Sequence, residues 1–239
     1  MPTAFGAELM GTVGFDWICI DTQHGLIGYE AMSQMLQALS ISGTPPVVRV
    51  AWNSPSEIMR ALDAGAQGVI VPLVNTPEEA ELAVSACRYP PMGQRSWGPV
   101  RAALRMPGYS PQAGNQDVVC VVQVETQQAV ERLDEILDVP GVDVVYVGPA
   151  DLAVSCNLPP TFKVSEMQHR PMIDRILAVC RDRGVVAGIH CTAAADVEHW
   201  LAQGFGFVTA GSDRGYMLSA AAHDVAAIEE SSLWVRRGA

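Results

Sequence analysis

Short apolar runs recur along the chain at helix-length intervals: "FDWICID" (15–21), "PVVRVA" (46–51), "GVIVPLV" (68–74), "VVCVVQVE" (118–125), "DVVYVGP" (143–149), "GVVAGIH" (184–190) and "GFVTAGS" (206–212). They are rich in Val and Ile and hardly alternate with polar residues. A strand wetted on one side alternates; a strand buried on both does not, so the pattern predicts parallel strands covered on both faces. Between most runs lie helical stripes with start signals. "SPSE" (54–57) offers Ser54 as N-cap, Pro55 at the first helical position and Glu57 as capping-box partner. "TPEE" (76–79) repeats the device, with Ala80, Ala83, Val84 and Cys87 as the inward stripe. Within 127–137, Ala129, Val130, Leu133, Ile136 and Leu137 fall on one helical face. Glycines close the helices in "LDAGAQGVIV" and "LAQGFGFVTA".

Strand and helix alternate without a break in composition, which predicts one α/β domain over residues 1–239. Parallel strands of this kind close into a (β/α)8 TIM-type barrel or form an open doubly wound sheet. No G-x-G-x-x-G follows the first run, which disfavours the dinucleotide-binding sheet, and the barrel is preferred. Seven runs are visible where such a barrel has eight strands. Residues 88–117 are Pro/Gly-rich and read as a long active-site or interface loop holding a short helix in "VRAALRM". Residues from about 213 to 239, with "SAAAHDVAAIEESSLWV", read as a C-terminal helical segment too apolar for a free tail.

Composition narrows the class. Asp and Glu number 26 against 15 Lys and Arg, a formal charge of −11. Such a chain repels nucleic acid and anionic membrane, so neither is an expected partner. No apolar run is long enough to span a membrane, and "MPTAFGAELMG" lacks the basic and apolar parts of a secretory signal, so a cytoplasmic location is expected. Six scattered cysteines without a C-x-x-C read as free thiols, mostly buried.

In a parallel barrel the chemistry collects where the strands end. The first run ends in Asp21 and His24, the second carries Arg49, the fourth ends in Gln123 and Glu125, the fifth leads to Asp151, and the sixth ends in His190, to which no role is assigned. Glu125 and Asp151 either cap the helices that follow them or share a hard divalent cation, Mg²⁺ or Mn²⁺; two carboxylates on sequential strand ends favour the cation. Arg49 among valines is costly unless it pairs with a carboxylate or binds an anionic substrate. Asp21 and His24 form a structural hydrogen bond or, the preferred reading, a carboxylate orienting a general base. The sole lysine, Lys163, sits in the loop-like "NLPPTFKVSE", away from the strand ends, so a Schiff-base lysine is not expected at this rim.

"GFDWICIDTQHG", "PVVRVAWNSP", "ALDAGAQGVIVPLVNTPEEA", "YPPMGQRSWGP", "VQVET" and "VYVGPADLA" stand in an order that resembles the metal-dependent pyruvate aldolases of the 4-hydroxy-2-oxoheptanedioate aldolase type, related to citrate lyase beta chains. The resemblance runs from roughly residue 8 to residue 215. It implies a (β/α)8 barrel, a divalent metal (Mg²⁺ or Mn²⁺, with Co²⁺ also able to serve) and reversible aldol cleavage of 4-hydroxy-2-oxo acids to pyruvate and an aldehyde through an enolate. On this chain it implies Glu125 and Asp151 as metal ligands, Arg49 at the enolate oxygen and His24 as base held by Asp21. It further implies Gln123 lining the site and the backbone of Gly148, Pro149, Ala150 and Asp151 receiving the pyruvate carboxylate. A homo-hexamer with the last helix exchanged between neighbours is implied too. Two departures stand out: Gln23 replaces a Glu before the histidine, and the family's first strand has no counterpart before "AFGAELM". Related enzymes use the same core on oxaloacetate or acyl-CoA. A phosphate-binding isomerase using "AGSDRG" (210–215) is a remoter alternative, because Ser212 and Asp213 read better as helix caps.

Overall fold

The computed structural model describes residues 1–230. A strand forms in each of the seven apolar runs: β1 Ile18–Asp21, β2 Pro46–Arg49, β3 Gly68–Val71, β4 Val119–Val124, β5 Val144–Val147, β6 Val186–Ile189 and β7 Phe207–Val208. They make one sheet in the order β1-β2-β3-β4-β5-β6-β7, every pair parallel, with helices in each connection. The ladders are shorter than the runs, so the polar tails of the runs project past the hydrogen-bonded sheet. Alternation across each strand feeds two cores. Val47, Ile70, Val121, Val144 and Tyr146 gather inside the curl with Trp17, Cys19, Val119 and Phe207 packed on them. Residues such as Ile20, Val48, Val69, Val122 and Val145 pack outward with the helices.

The seven strands seen in the sequence form a curled half-barrel sheet, and no eighth strand lies among the described residues. Among the described residues no backbone ladder joins β1 to β7. Instead Trp17, just before β1, stacks on Phe207 of β7 with ring centroids 4.0 Å apart and planes 11° apart. The sheet edges therefore meet through side chains alone. Near the same edges the Met1 amine pairs with Asp213 at 2.5 Å, and Phe15 stacks on Tyr216 at 6.4 Å. The N-terminal helix Ala4–Gly11 lies on helix Tyr29–Ser42; at Gly11 an added Cβ would sit 2.4 Å from the Ser42 hydroxyl, so only glycine permits that approach.

Residues 88–117 hold helices Ala102–Arg105 and Pro111–Asp117. Arg88 donates to the Val118 carbonyl and to Asp143, both at 2.8 Å; Arg95 donates to Asp63 at 2.9 Å and Arg101 to the Ala64 carbonyl at 2.9 Å. Every one of these partners precedes a strand. Within the chain the segment thus lies at the N-terminal end of the sheet, away from the rim where Glu125 stands. The chain order explains it: the segment follows a helix and precedes β4, so it must return to where strands begin.

Local signals were obeyed unevenly. Thr76 caps helix Pro77–Cys87 by accepting from Glu79 N–H at 3.2 Å, and its predicted stripe is buried. Ser54 makes no side-chain cap, and Glu57 accepts from the Trp52 N–H at 3.2 Å instead. The helix expected over 127–137 breaks at Arg132 into Gln127–Glu131 and Leu133–Leu137, with its apolar stripe still buried. The C-terminal helix Asp213–Glu229 buries none of its residues and exposes Tyr216, Met217, Leu218, Val225 and Ile228. Residues 231–239, the rest of the predicted C-terminal segment, lie outside the described residues. No described helix is long and apolar enough to cross a membrane.

Candidate active site

Asp21 closes β1 in register with Arg49, which closes β2. Side by side on one face, they form a forked ion pair: Arg49 Nε donates to Asp21 Oδ1 at 2.9 Å and Nη2 to Oδ2 at 2.5 Å. This settles the anion that the buried guanidinium required. Oδ1 also accepts from the backbone N–H of Gln23 (3.1 Å) and His24 (3.2 Å). Asp21 therefore fixes the turn that carries His24, not the imidazole; the expectation that it orients the ring is corrected, and the His24 side chain is exposed. Burial pushes the Asp21 carboxyl up, but the hydrogen bonds and charge of Arg49, with the two N–H donors, outweigh it and hold it below the usual carboxylate range.

Glu125 follows β4 and is 3% exposed. Its Oε1 accepts from Leu73 N–H at 3.0 Å and its Oε2 from Gln123 Nε2 at 2.6 Å. Leu73 adopts φ 53°, a left-handed conformation that costs a non-glycine residue about 1–3 kcal/mol. The turn is braced: Asn75 Nδ2 donates to the Leu73 carbonyl at 2.7 Å, and the Thr126 hydroxyl donates to Asn75 Oδ1. Sequence reasoning missed Leu73 and Asn75; the Asn–Thr–Pro run at the end of "PLVNTP" was the available signal for a structured turn. Asp151 lies exposed in the first turn of helix Pro149–Ser155, which begins at Gly148. Burial first, then the Asp151 charge, push the Glu125 carboxyl up to about 7 against Leu73, Arg49 and Gln123. The Asp151 charge is thus near enough to act on Glu125. Gln123 leaves its Oε1 buried and without a partner.

His190 follows β6 and joins this group. Burial and then Arg49 push its imidazole down to about 4, against the opposing charges of Asp21 and Asp151. Ser212, by contrast, caps the C-terminal helix by accepting from Gly215 N–H at 3.1 Å, which answers the phosphate-loop alternative with an ordinary cap.

Residues 3–220 match the HpcH/HpaI aldolase/citrate lyase family. The chain belongs to this family. It is 40% identical over 228 residues to a hydroxypyruvate/pyruvate aldolase of Rhizorhabdus wittichii, covering 95% of this chain and 90% of that one. It is 39% identical to a 2-dehydro-3,6-dideoxy-6-sulfogluconate aldolase of Pseudomonas putida, covering 92% and 86%. Among solved structures it resembles an HpcH/HpaI family protein of Burkholderia cenocepacia at TM-score 0.88 and 30% identity over 96% of this chain and 92% of that one. A citrate synthase superposes at TM-score 0.85 and 28% identity, covering 96% and 90%. This family member is accordingly an aldolase, a carbon–carbon lyase.

Two tests of the aldolase's carboxylate cradle follow from its packing. At Gly148 an added Cβ would lie 2.4 Å from Glu125 Oε2 and 2.9 Å from Gln123 Nε2, while its φ of −95° suits any residue. Gly148→Ala should therefore keep the fold by circular dichroism but displace the Glu125 carboxylate, with aldolase turnover falling at least about tenfold. Unchanged turnover would show that the cradle tolerates the methyl. The second test is pH. Glu125 binds its proton more tightly folded (about 7) than unfolded (4.5), so metal-free stability falls as pH rises between those values, by roughly 3 kcal/mol, and stays lower above them. Glu125→Gln should remove that fall, so the two denaturation curves diverge as pH rises; parallel curves from pH 5 to 8 would contradict it.

Proposed function

We propose that this aldolase cleaves 4-hydroxy-2-oxo acids reversibly to pyruvate and an aldehyde, using a divalent cation held by Glu125 and Asp151, with Mg²⁺ or Mn²⁺ preferred and Co²⁺ able to substitute. The observation that carries the reading is the convergence of buried Glu125, Asp151 and Arg49 at one rim while the sole lysine stays outside. Lys163 is exposed and paired with Glu166 at 3.1 Å, so no Schiff-base lysine is available. The donor set fits a hard cation: it is all oxygen, and its two carboxylates repel each other without one. That leaves coordination for water and a chelating 2-oxo acid, as Mg²⁺ prefers. When bound, such a cation polarises a carbonyl as a Lewis acid.

The chain's own groups supply the rest. The free N–H groups of Ala150 and Asp151 at the helix start receive the pyruvate carboxylate, with Gly148 and Pro149 shaping the approach. Gln123 orients Glu125. Arg49, anchored through Nε and Nη2, turns its remaining donors toward the C2 oxygen, where charge gathers as the C3–C4 bond breaks. His24, at the mouth, takes the proton of the C4 hydroxyl. Pyruvate release from 4-hydroxy-2-oxo acids, assayed after chelation and after adding Mn²⁺, tests the reading; full turnover in chelator would overturn it. The likeness to a citrate synthase favours one second reading, condensation on oxaloacetate, and consumption of oxaloacetate without any aldol cleavage would select it. Six free cysteines support a cytoplasmic place for this reaction. The apolar residues exposed on helix Asp213–Glu229 support a homo-oligomer, the hexamer of the resemblance, and a monomeric mass by light scattering would refute it.

A further inference from the structure

His190 is the polar residue of the rim that the proposed reaction leaves unused. Its Nδ1 lies 3.0 Å from the Tyr146 hydroxyl and 3.3 Å from the Thr209 hydroxyl, which are 3.2 Å from each other. The direction of these bonds can be worked out by counting protons. Thr209 Oγ1 donates its one proton to the Cys191 carbonyl at 3.1 Å and accepts from the Cys191 N–H at 2.9 Å. Toward Tyr146 and His190 it can therefore only accept. Tyr146 also has one proton. If it gives that proton to Thr209, its oxygen accepts from His190 Nδ1–H and each group's proton finds an acceptor, the 3.3 Å approach of Nδ1 to Thr209 holding no bond of its own. If it gives the proton to Nδ1, the Thr209 contact at 3.2 Å holds two oxygens and no proton. The relay that satisfies all members runs His190 Nδ1–H to Tyr146 to Thr209 to the Cys191 carbonyl.

The relay leaves Nε2 with a bare lone pair. No hydrogen bond reaches Nε2 among the described residues, and it is not among the sealed polar atoms without partners. Tyr146 is buried within the curl, and Gly188 lets it sit there: a Cβ at Gly188 would meet the Tyr146 ring at 3.0 Å and the Phe207 carbonyl at 2.5 Å. On the other side Phe162 packs against the imidazole, centroids 5.5 Å apart. The ring is thus held between aromatic groups, where the charges of Arg49, Asp21 and Asp151 act on it.

We propose that His190 Nε2 is a fixed hydrogen-bond acceptor that selects substrates carrying a hydroxyl beyond those of the bond being cleaved. This rests on the aldolase reading above. The hydroxyl comes either from the nucleophile half, as in hydroxypyruvate, or from the carbonyl acceptor, as in a 2-hydroxyaldehyde. A fixed acceptor that meets a hydrogen or a methyl group in place of a hydroxyl stays desolvated and unpaired, and that penalty makes the selection. The imidazole's low proton affinity keeps it an acceptor through the neutral range.

The test compares kcat/KM ratios within each protein in the presence of Mg²⁺. One ratio sets glycolaldehyde against acetaldehyde with pyruvate as nucleophile; the other sets hydroxypyruvate against pyruvate with one aldehyde. The parent should prefer the hydroxylated member in one ratio, and His190→Phe should lower that ratio about 10–100-fold. The ratio that falls identifies the half that carries the hydroxyl. If neither falls, the proposal is overturned while turnover itself preserves the aldolase reading. Nitrogen NMR of the unmodified protein, with His190 assigned from the missing signal of His190→Phe, gives a readout independent of turnover. Nδ1 should carry the proton and Nε2 none; a protonated Nε2 overturns the proposal. If the parent turns over no pair, the aldolase reading fails. His190 is then judged by hydroxypyruvate, which must shift the Nε2 signal more than pyruvate does, an equal shift overturning the proposal.

Discussion

Glu125→Gln and Asp151→Asn are each expected to abolish aldol cleavage at low divalent cation and to recover part of it as the cation is raised. Each change halves the negative charge at the site and replaces a carboxylate by a neutral amide, a poorer ligand for Mg²⁺ or Mn²⁺. Changes to residues that merely support ligands cost about 10–100-fold in metal affinity, so loss of a ligand should exceed that. The two variants should still differ. Glu125 is buried and holds the Leu73 turn and Gln123, so Glu125→Gln disturbs the neighbouring bonds; Asp151 is exposed and makes no side-chain hydrogen bond among the described residues, so Asp151→Asn changes charge alone. Titrating cation by calorimetry and following pyruvate release on the same samples separates affinity from turnover. Full activity without added cation in either variant would remove the carboxylates from the reaction.

Arg49→Ala should show the opposite split. The ligands remain, so cation affinity should stay near that of the parent, while the rate falls about 10²–10³-fold for want of one preorganised charged donor at the developing oxyanion. The fold should survive, because Asp21 keeps the N–H donors of Gln23 and His24 and part of its solvent. Arg49→Lys is the useful companion: it restores charge but not the fork that grips Asp21 through two nitrogens. Cleavage by Arg49→Ala at the parent rate would show that the guanidinium only pairs with Asp21.

The strands were legible because a run such as "GVIVPLV" can be buried on both faces in few other ways, and all seven runs contain one. The rim was legible for the related reason that a buried strand ending in Glu125 or His190 needs a cause. Side-chain partners were not, since they come from residues far apart in sequence. Arg49 left two partners open, and only the parallel register of β1 on β2 selects Asp21. His190 could be given no role, because its meaning lies in Tyr146 on β5 and Thr209 just after β7. The placing of residues 88–117 was missed although chain order contained it; Pro and Gly content says "loop" but not which end of the sheet the loop occupies.

The edge between β1 and β7, joined by stacked rings and no backbone ladder, bears on how the chain is made. Among the described residues each strand pairs only with its neighbours in sequence, so no backbone hydrogen bond of the described sheet joins its first strand to its last. Pairings between sequence neighbours carry the smaller loop-closure cost and form faster than pairings of distant segments. During synthesis the sheet can therefore grow strand by strand behind the ribosome, each new β–α unit docking on one already in place. What must wait is the meeting of Trp17 with Phe207, a contact between two side chains, so the curl cannot be completed before β7 has been made.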